Sequence, residues 1–169
     1  MTLAEAAAKA AGVTDARVLA DLRRDVDEEL EFAIRSEDYR ERALAYRAIG
    51  QLRFAQKTEL LRRGLEDESP ACRGSALLSL ELLSRDHPGL VNGVRPLLHE
   101  LANADPNQAV RRLAVLSLKN GSPSRDTLTL LEHIAEEESE ERDLRSAART
   151  VHDVLKRKAT VAASDAKRR

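Results

Sequence analysis

The chain has no tryptophan, two phenylalanines and two tyrosines in 169 residues. A core must therefore be built from Leu, Ile, Val and Ala, which suits close helix packing, and few π faces remain on which a nucleobase could stack. That scarcity argues against base-specific chemistry. There is one cysteine, Cys72, so no internal disulfide can form and nothing calls for an oxidising compartment; a cytoplasmic location is expected. Long apolar runs are missing too. The Ala-rich start, Met1 to Gly12, is interrupted by Glu5 and Lys9 and has no stretch of the length a signal peptide or membrane span needs, so a soluble protein with no membrane partner is expected. Nor is there a Gly-rich phosphate loop, a nucleophile elbow or a carboxylate pair of defined geometry. The expectation is a protein that is not an enzyme and carries no cofactor.

What the chain does have is repetition. An arginine followed three residues later by an alanine recurs as Arg42/Ala45, Arg73/Ala76, Arg111/Ala114 and Arg145/Ala148, at intervals of 31, 38 and 34 residues. A leucine precedes each arginine by 12 or 14 residues (Leu30, Leu61, Leu97, Leu131). Such periods imply helix pairs that cannot bury their apolar faces alone and must stack to share a core. At 42% apolar and 34% charged residues the composition is that of a globular helical protein.

Thr2 and Glu5 read as a capping box for a first short helix that Gly12 is placed to end. From Thr14 or Asp15 the apolar positions Val18, Leu19, Leu22, Val26, Leu30 and Ala33 keep helical spacing. The pattern admits one helix to about Ser36 or a break at Asp25 to Asp27, with Asp27 capping a new start. Residues 1–27 read as an N-terminal helical cap, 28–158 as a repeat domain of about four helix pairs, and 159–169 as a disordered basic tail. In the second pair Thr58 is expected to cap the helix of Leu61 and Leu65, and Pro70 suits the first turn of the next. Pro96 inside the pattern of Leu90, Val94, Leu97 and Leu101 predicts a kink. Asn120 to Pro123 marks a clear break, and the fourth pair has an acidic loop from Glu136 to Glu141.

Charge separates along the chain. Residues 1–155 hold 22 Lys and Arg against 28 Asp and Glu, whereas residues 156–169 hold six basic residues against Asp165 alone. An acidic body therefore ends in a basic segment, in which Lys156 to Lys158 complement a helix terminus.

Two spacings carry a family likeness: Asp67 six residues before Arg73, and Asp105 six before Arg111. With Pro96 in the first helix of its pair, they resemble the HEAT-repeat (armadillo-like) family over residues 28 to 158. Ser36 and Ser139 stand where that family has the aspartate, and His152 replaces the aliphatic residue seen as Ile49, Leu80 and Leu118. The resemblance implies an all-α, right-handed superhelix (solenoid) of about four HEAT-like pairs. It also implies a non-catalytic scaffold or adaptor that binds a protein partner.

The recurring arginines and aspartates fit a structural ladder better than catalysis, since one active site has no need of a repeated pair. His99 and His133 occupy matching positions on neighbouring first helices, but packed helix axes lie roughly 8–10 Å apart, and Asn103 spoils an HExxH pattern. Solvated histidines and no metal are expected. Cys72 falls on an apolar helix face as a small hydrophobe.

The second helices of the pairs would line the inner curve of a solenoid. Opposite Ala45, Ile49 and Leu52 on a helical wheel lie Arg40, Arg47 and Phe54. The equivalent positions are Leu78, Glu81 and Arg85, then Arg112, Leu116 and Lys119. This mixed basic and apolar stripe is the expected partner-binding site: Phe54, Leu78 and Leu116 as anchors and Arg40, Arg47, Arg85, Arg112 and Lys119 as charges for an acidic amphipathic helix or peptide. The rival is a nucleic-acid module in which the same cations and the basic tail meet phosphates, which the acidic body disfavours. A third class is an enzyme on a HEAT-like scaffold, such as a base-excision glycosylase or a bilin lyase; the lack of Trp and scarcity of other aromatics weaken the glycosylase reading.

Overall fold

A computed structural model describes all residues 1–169. The chain forms nine α-helices and one 3-10 turn, without strands, in two compact units, Met1–Asp86 and His87–Arg169.

The first unit opens with α1 (Leu3–Ala10), where the Thr2 hydroxyl accepts from the Glu5 amide and the Glu5 carboxylate accepts from the Thr2 amide. Next comes α2 (Ala16–Ala33), capped by Asp15, whose Oδ1 accepts from the Arg17 and Val18 amides. It runs unbroken, because Leu19, Leu22, Val26 and Leu30 keep one buried face throughout and propagation costs less than a second nucleation. Asp27 does not cap a new helix; it pairs with Lys57 at 2.8 Å. The boundary expected at residue 27 thus falls inside a continuous helix.

Helix α3 (Tyr39–Gln51) starts at Asp38, whose carboxylate accepts from the Arg40 amide. It ends in a Schellman turn: the Phe54 amide donates to Ile49 O and the Arg53 amide to Gly50 O. Arg53 takes the left-handed conformation, φ 51°, that glycine usually supplies there. Two arginines tie this end down, Arg53 donating to Val13 O at 2.8 Å and Arg23 to Leu52 O and Arg53 O. A 3-10 turn, Ala55–Lys57, leads into α4 (Thr58–Gly64). Thr58 is the first residue of that helix and not its cap, because the preceding turn already supplies backbone carbonyls. Pro70 opens α5 (Pro70–Ser84) in the first turn.

Helices α3 and α5 approach closely at Gly50. The Ser79 hydroxyl accepts from the Gly50 amide at 2.9 Å and donates to Tyr46 O at 2.6 Å. It thereby bridges two groups one turn apart in α3. A Cβ at Gly50 would lie 2.6 Å from the Ser79 Cα, so only glycine permits the contact. Leu30, Ile49, Leu52, Leu61, Leu65 and Leu77 fill the core beside it.

The second unit contains α6 (Gly89–Ala104), α7 (Gln108–Leu118), α8 (Arg125–Glu136) and α9 (Arg142–Lys167) around Leu98, Leu118, Leu131, Ile134 and Leu144. Pro96 lies inside α6, where it has no amide to offer the Asn92 carbonyl one turn earlier. Asn107 and Ser124 cap α7 and α8 through the Val110 and Thr127 amides. The residues expected to form a disordered tail continue α9 to Lys167 instead. Ala, Lys and Arg dominate them, with neither Gly nor Pro after Arg142, so the helix propagates from its packed half with little loss of propensity. Lys158 reaches back to cap α7, its ammonium donating to Lys119 O and Gly121 O. No helix is long and apolar enough to cross a membrane.

Candidate partner-binding surface

The repeated arginines hold the helix pairs in register. In the first unit Arg42 donates from Nε and Nη2 to the two carboxylate oxygens of Asp67 at 2.9 and 3.0 Å. Its Nη1 donates to Ser36 O and Glu37 O in its own loop. Asp67 in turn offers its backbone carbonyl to Arg73 at 2.9 Å, while its Oδ1 accepts from the Ser69 amide. The second unit repeats the arrangement with a different acid: Arg111 donates from Nε to Ala102 O at 2.9 Å and from both Nη atoms to Glu140 at 2.6 and 2.7 Å. Glu140, one residue beyond Ser139, supplies the carboxylate that the spacing leaves missing. Arg145 donates to Ala135 O at 3.3 Å.

Both acids are tuned by these contacts. Burial pushes the Asp67 carboxyl up, but hydrogen bonds from Arg42 and the Ser69 amide outweigh it and hold the group below the usual carboxylate range. Hydrogen bonding from Arg111 does the same for Glu140 against a smaller burial effect. Arg42 is held well above the ordinary arginine value, chiefly by Asp67. The pairs are fixed ion pairs, committed to structure.

The remaining polar candidates are also engaged. His99 Nε2 lies 2.8 Å from the Thr127 hydroxyl, which itself bonds Ser124 Oγ at 2.8 Å. Burial, followed by the nearby Arg95, lowers the pKa of His99, with Asp126 opposing. Cys72 is buried, its thiol 3.2 Å from Tyr39 O, and burial raises its pKa, which keeps it a thiol.

The stripe expected on the second helices divides between the two units. On the first, α3 carries exposed Arg40 and half-buried Arg47, and α5 carries Leu78, 37% exposed, and exposed Arg85. Leu44, outside the stripe that the helical wheel picks out, is 42% exposed on α3, one turn from Arg40 and just under one from Arg47. The Arg40 guanidinium stacks 5.7 Å from the Tyr39 ring. Arg85 pairs with Glu81 at 2.9 Å, and Arg47 Nη1 is buried without a hydrogen-bond partner.

Phe54 does not belong to this surface. It is 8% exposed, beneath Arg23 and Lys57, whose cationic groups stand 5.9 and 5.4 Å from its ring centroid. The Schellman turn folds it back, whereas a wheel extended past Gln51 assumes that helix α3 continues. On the second unit, Arg112 is exposed and Leu116 and Lys119 are half-buried on α7.

A family model for HEAT repeats matches residues 26–119. The chain belongs to the HEAT-repeat family. No curated protein matches it. The match begins within α2 and ends just after α7, so it takes in the Arg42–Asp67 pair and the loop preceding Arg111. In this HEAT-repeat protein the recurring arginines therefore tie loops and neighbouring helix pairs together. Outside these contacts, Leu44 and Leu78 are exposed on α3 and α5, as are Arg40, Arg85 and Arg112 on α3, α5 and α7.

Proposed function

We propose that this HEAT-repeat protein is a non-catalytic adaptor of the cytoplasm that binds an acidic amphipathic helix or peptide of a protein partner. The observation that carries the reading is Leu44 and Leu78, both exposed on the paired helices α3 and α5 of one compact unit and flanked by Arg40, Arg47 and Arg85. A buried aliphatic anchor with cations at its rim suits a helix that offers leucine-like residues on one face and carboxylates beside them. Arg112, Leu116 and Lys119 on α7 offer a second surface of the same character. The free thiol of Cys72 is consistent with a reducing compartment.

The test compares wild type with the Leu44→Asp/Leu78→Asp variant as bait in native lysate, with and without nuclease. Wild type should retain a protein that survives nuclease treatment, and the variant should lose it while keeping its melting temperature. Equal recovery by both baits overturns the reading. Recovery that disappears with nuclease would favour phosphate contacts by the arginines instead.

A further inference from the structure

We propose that the free end of α9 docks on the outer face of α2 in a second copy of this chain. The buried stripe of α9, Leu144, Ala148, Val151 and Leu155, continues at the same three- and four-residue spacing as Ala159, Ala162 and Ala166, but every residue from Thr160 onward is exposed. A helix seam of small residues lets another helix approach closely. The flanking charges are basic apart from Asp165. Lys156, Arg157, Lys167, Arg168 and Arg169 are exposed and without ion pairs, and Lys158 is occupied by the end of α7.

The chain itself carries the complementary face. Along the outer side of α2, Asp21, Asp25, Glu28 and Phe32 recur at four- and three-residue steps, and Phe32 is 78% exposed, more than any other large apolar side chain. Most other ionic groups of α2 are used within the fold: Asp21 pairs with Arg24, Glu31 with Arg35 and Lys57, Asp27 with Lys57, and Glu29 accepts from the Leu3 amide, while Arg17 stands exposed one turn before Asp21 on the same side. Asp25 and Glu28 are exposed and without ion pairs. The unpaired charge next to the exposed Phe32 ring, from Asp25 and Glu28, is therefore acidic, with Arg17 two turns further toward the start of the helix, and that on the end of α9 is net basic beside Ala159, Val161 and Ala162. The basic end repels a second basic end, and it repels the arginine-flanked face of α3 and α5. The outer side of α2, by contrast, joins an unsatisfied apolar anchor to charge of the needed sign. Phe32 covers the alanine seam, while Asp25 and Glu28 meet Lys156, Arg157 or Lys167. One such contact is smaller than a standard interface, so the association is weak and salt-sensitive.

The experiment is sedimentation equilibrium of the nuclease-treated full chain over a concentration series at about 50 mM and about 500 mM salt, a range over which screening weakens exposed ion pairs. The wild type should self-associate at low salt, with the dissociation constant rising at least about tenfold at high salt. Phe32→Lys, and separately Lys156→Glu/Arg157→Glu/Lys167→Glu, should each be monomeric with unchanged helicity. Mixing the tail variant with Asp25→Lys/Glu28→Lys should restore a complex that neither forms alone. A wild type that stays monomeric throughout overturns the proposal, as does self-association that survives both variants or a charge-swapped mixture that fails to assemble.

Discussion

Arg42 and Asp67 meet through two parallel hydrogen bonds, of 2.9 and 3.0 Å, although they belong to successive helix pairs and stand 25 residues apart. Both side chains are largely buried, 11% and 8% exposed. The fork of the guanidinium matches the carboxylate and fixes one register between the pairs, which an apolar contact alone leaves free to slide. Arg111 and Glu140 repeat the relationship in the second unit.

Breaking either pair leaves a buried charge without its partner. Asp67→Ala should cost about 2–4 kcal/mol, and Arg111→Ala about 1–3 kcal/mol, because Glu140 is partly exposed and can recover water. Arg42→Lys should rescue little, since an ammonium cannot hold both oxygens and both loop carbonyls. Chemical denaturation with a double-mutant cycle on Arg42 and Asp67 measures the coupling. Additive single effects would remove the register role.

The pH dependence follows from three shifts. Asp67 and Glu140 are lowered in the fold, so their stabilisation is fully present above the ordinary carboxylate range near pH 4 and is lost as pH falls through their folded values. His99 is lowered as well, so the folded state favours the neutral ring. Its contribution begins to fade below about pH 6.5 and finishes falling at the lower folded value. Melting temperature should thus decline in two stages on acidification. His99→Gln, which can keep a bond to Thr127, should abolish the upper stage and leave the lower.

Gly50→Ala should destabilise by about 1–3 kcal/mol, because the new Cβ would meet the Ser79 backbone and displace its hydroxyl from the Gly50 amide and Tyr46 carbonyl. Thermal unfolding reads the cost. Gly93→Ala is the control: nothing lies within 4 Å of its Cβ position, and the change should be neutral or stabilising by about 0.5–1 kcal/mol in a helix interior.

Truncation after Lys158 should leave the melting temperature within a degree or two, since no residue beyond it is buried. Far-UV circular dichroism should still fall, by the share of helix that residues 159–167 contribute. Truncation after Arg157 should cost more, because Lys158 then no longer holds Lys119 O and Gly121 O at the end of α7.

Local chemistry decided much of this molecule before any packing. The apolar spacing along each segment, the Thr2 and Glu5 box and Pro70 in a first turn are short-range effects, so they place helices from sequence alone. So does the recurrence of arginine and alanine, because stacked pairs must present like residues at like positions. Tertiary structure decided the rest. Which acid answers each arginine is a matter of spatial reach, and that is how Glu140 substitutes for an aspartate absent at Ser139. Phe54 left the candidate surface because a left-handed turn at Arg53 ended α3 first, a backbone choice that no wheel records. Leu44 became an exposed residue and Gly50 a contact point only through the angle and closeness of α3 and α5. The end of α9 stayed helical because propagation from a packed half needs no burial of its own, whereas composition at a chain end points to disorder. Periodicity fixes which residues share a face, but only the neighbours brought by the fold determine whether that face is covered.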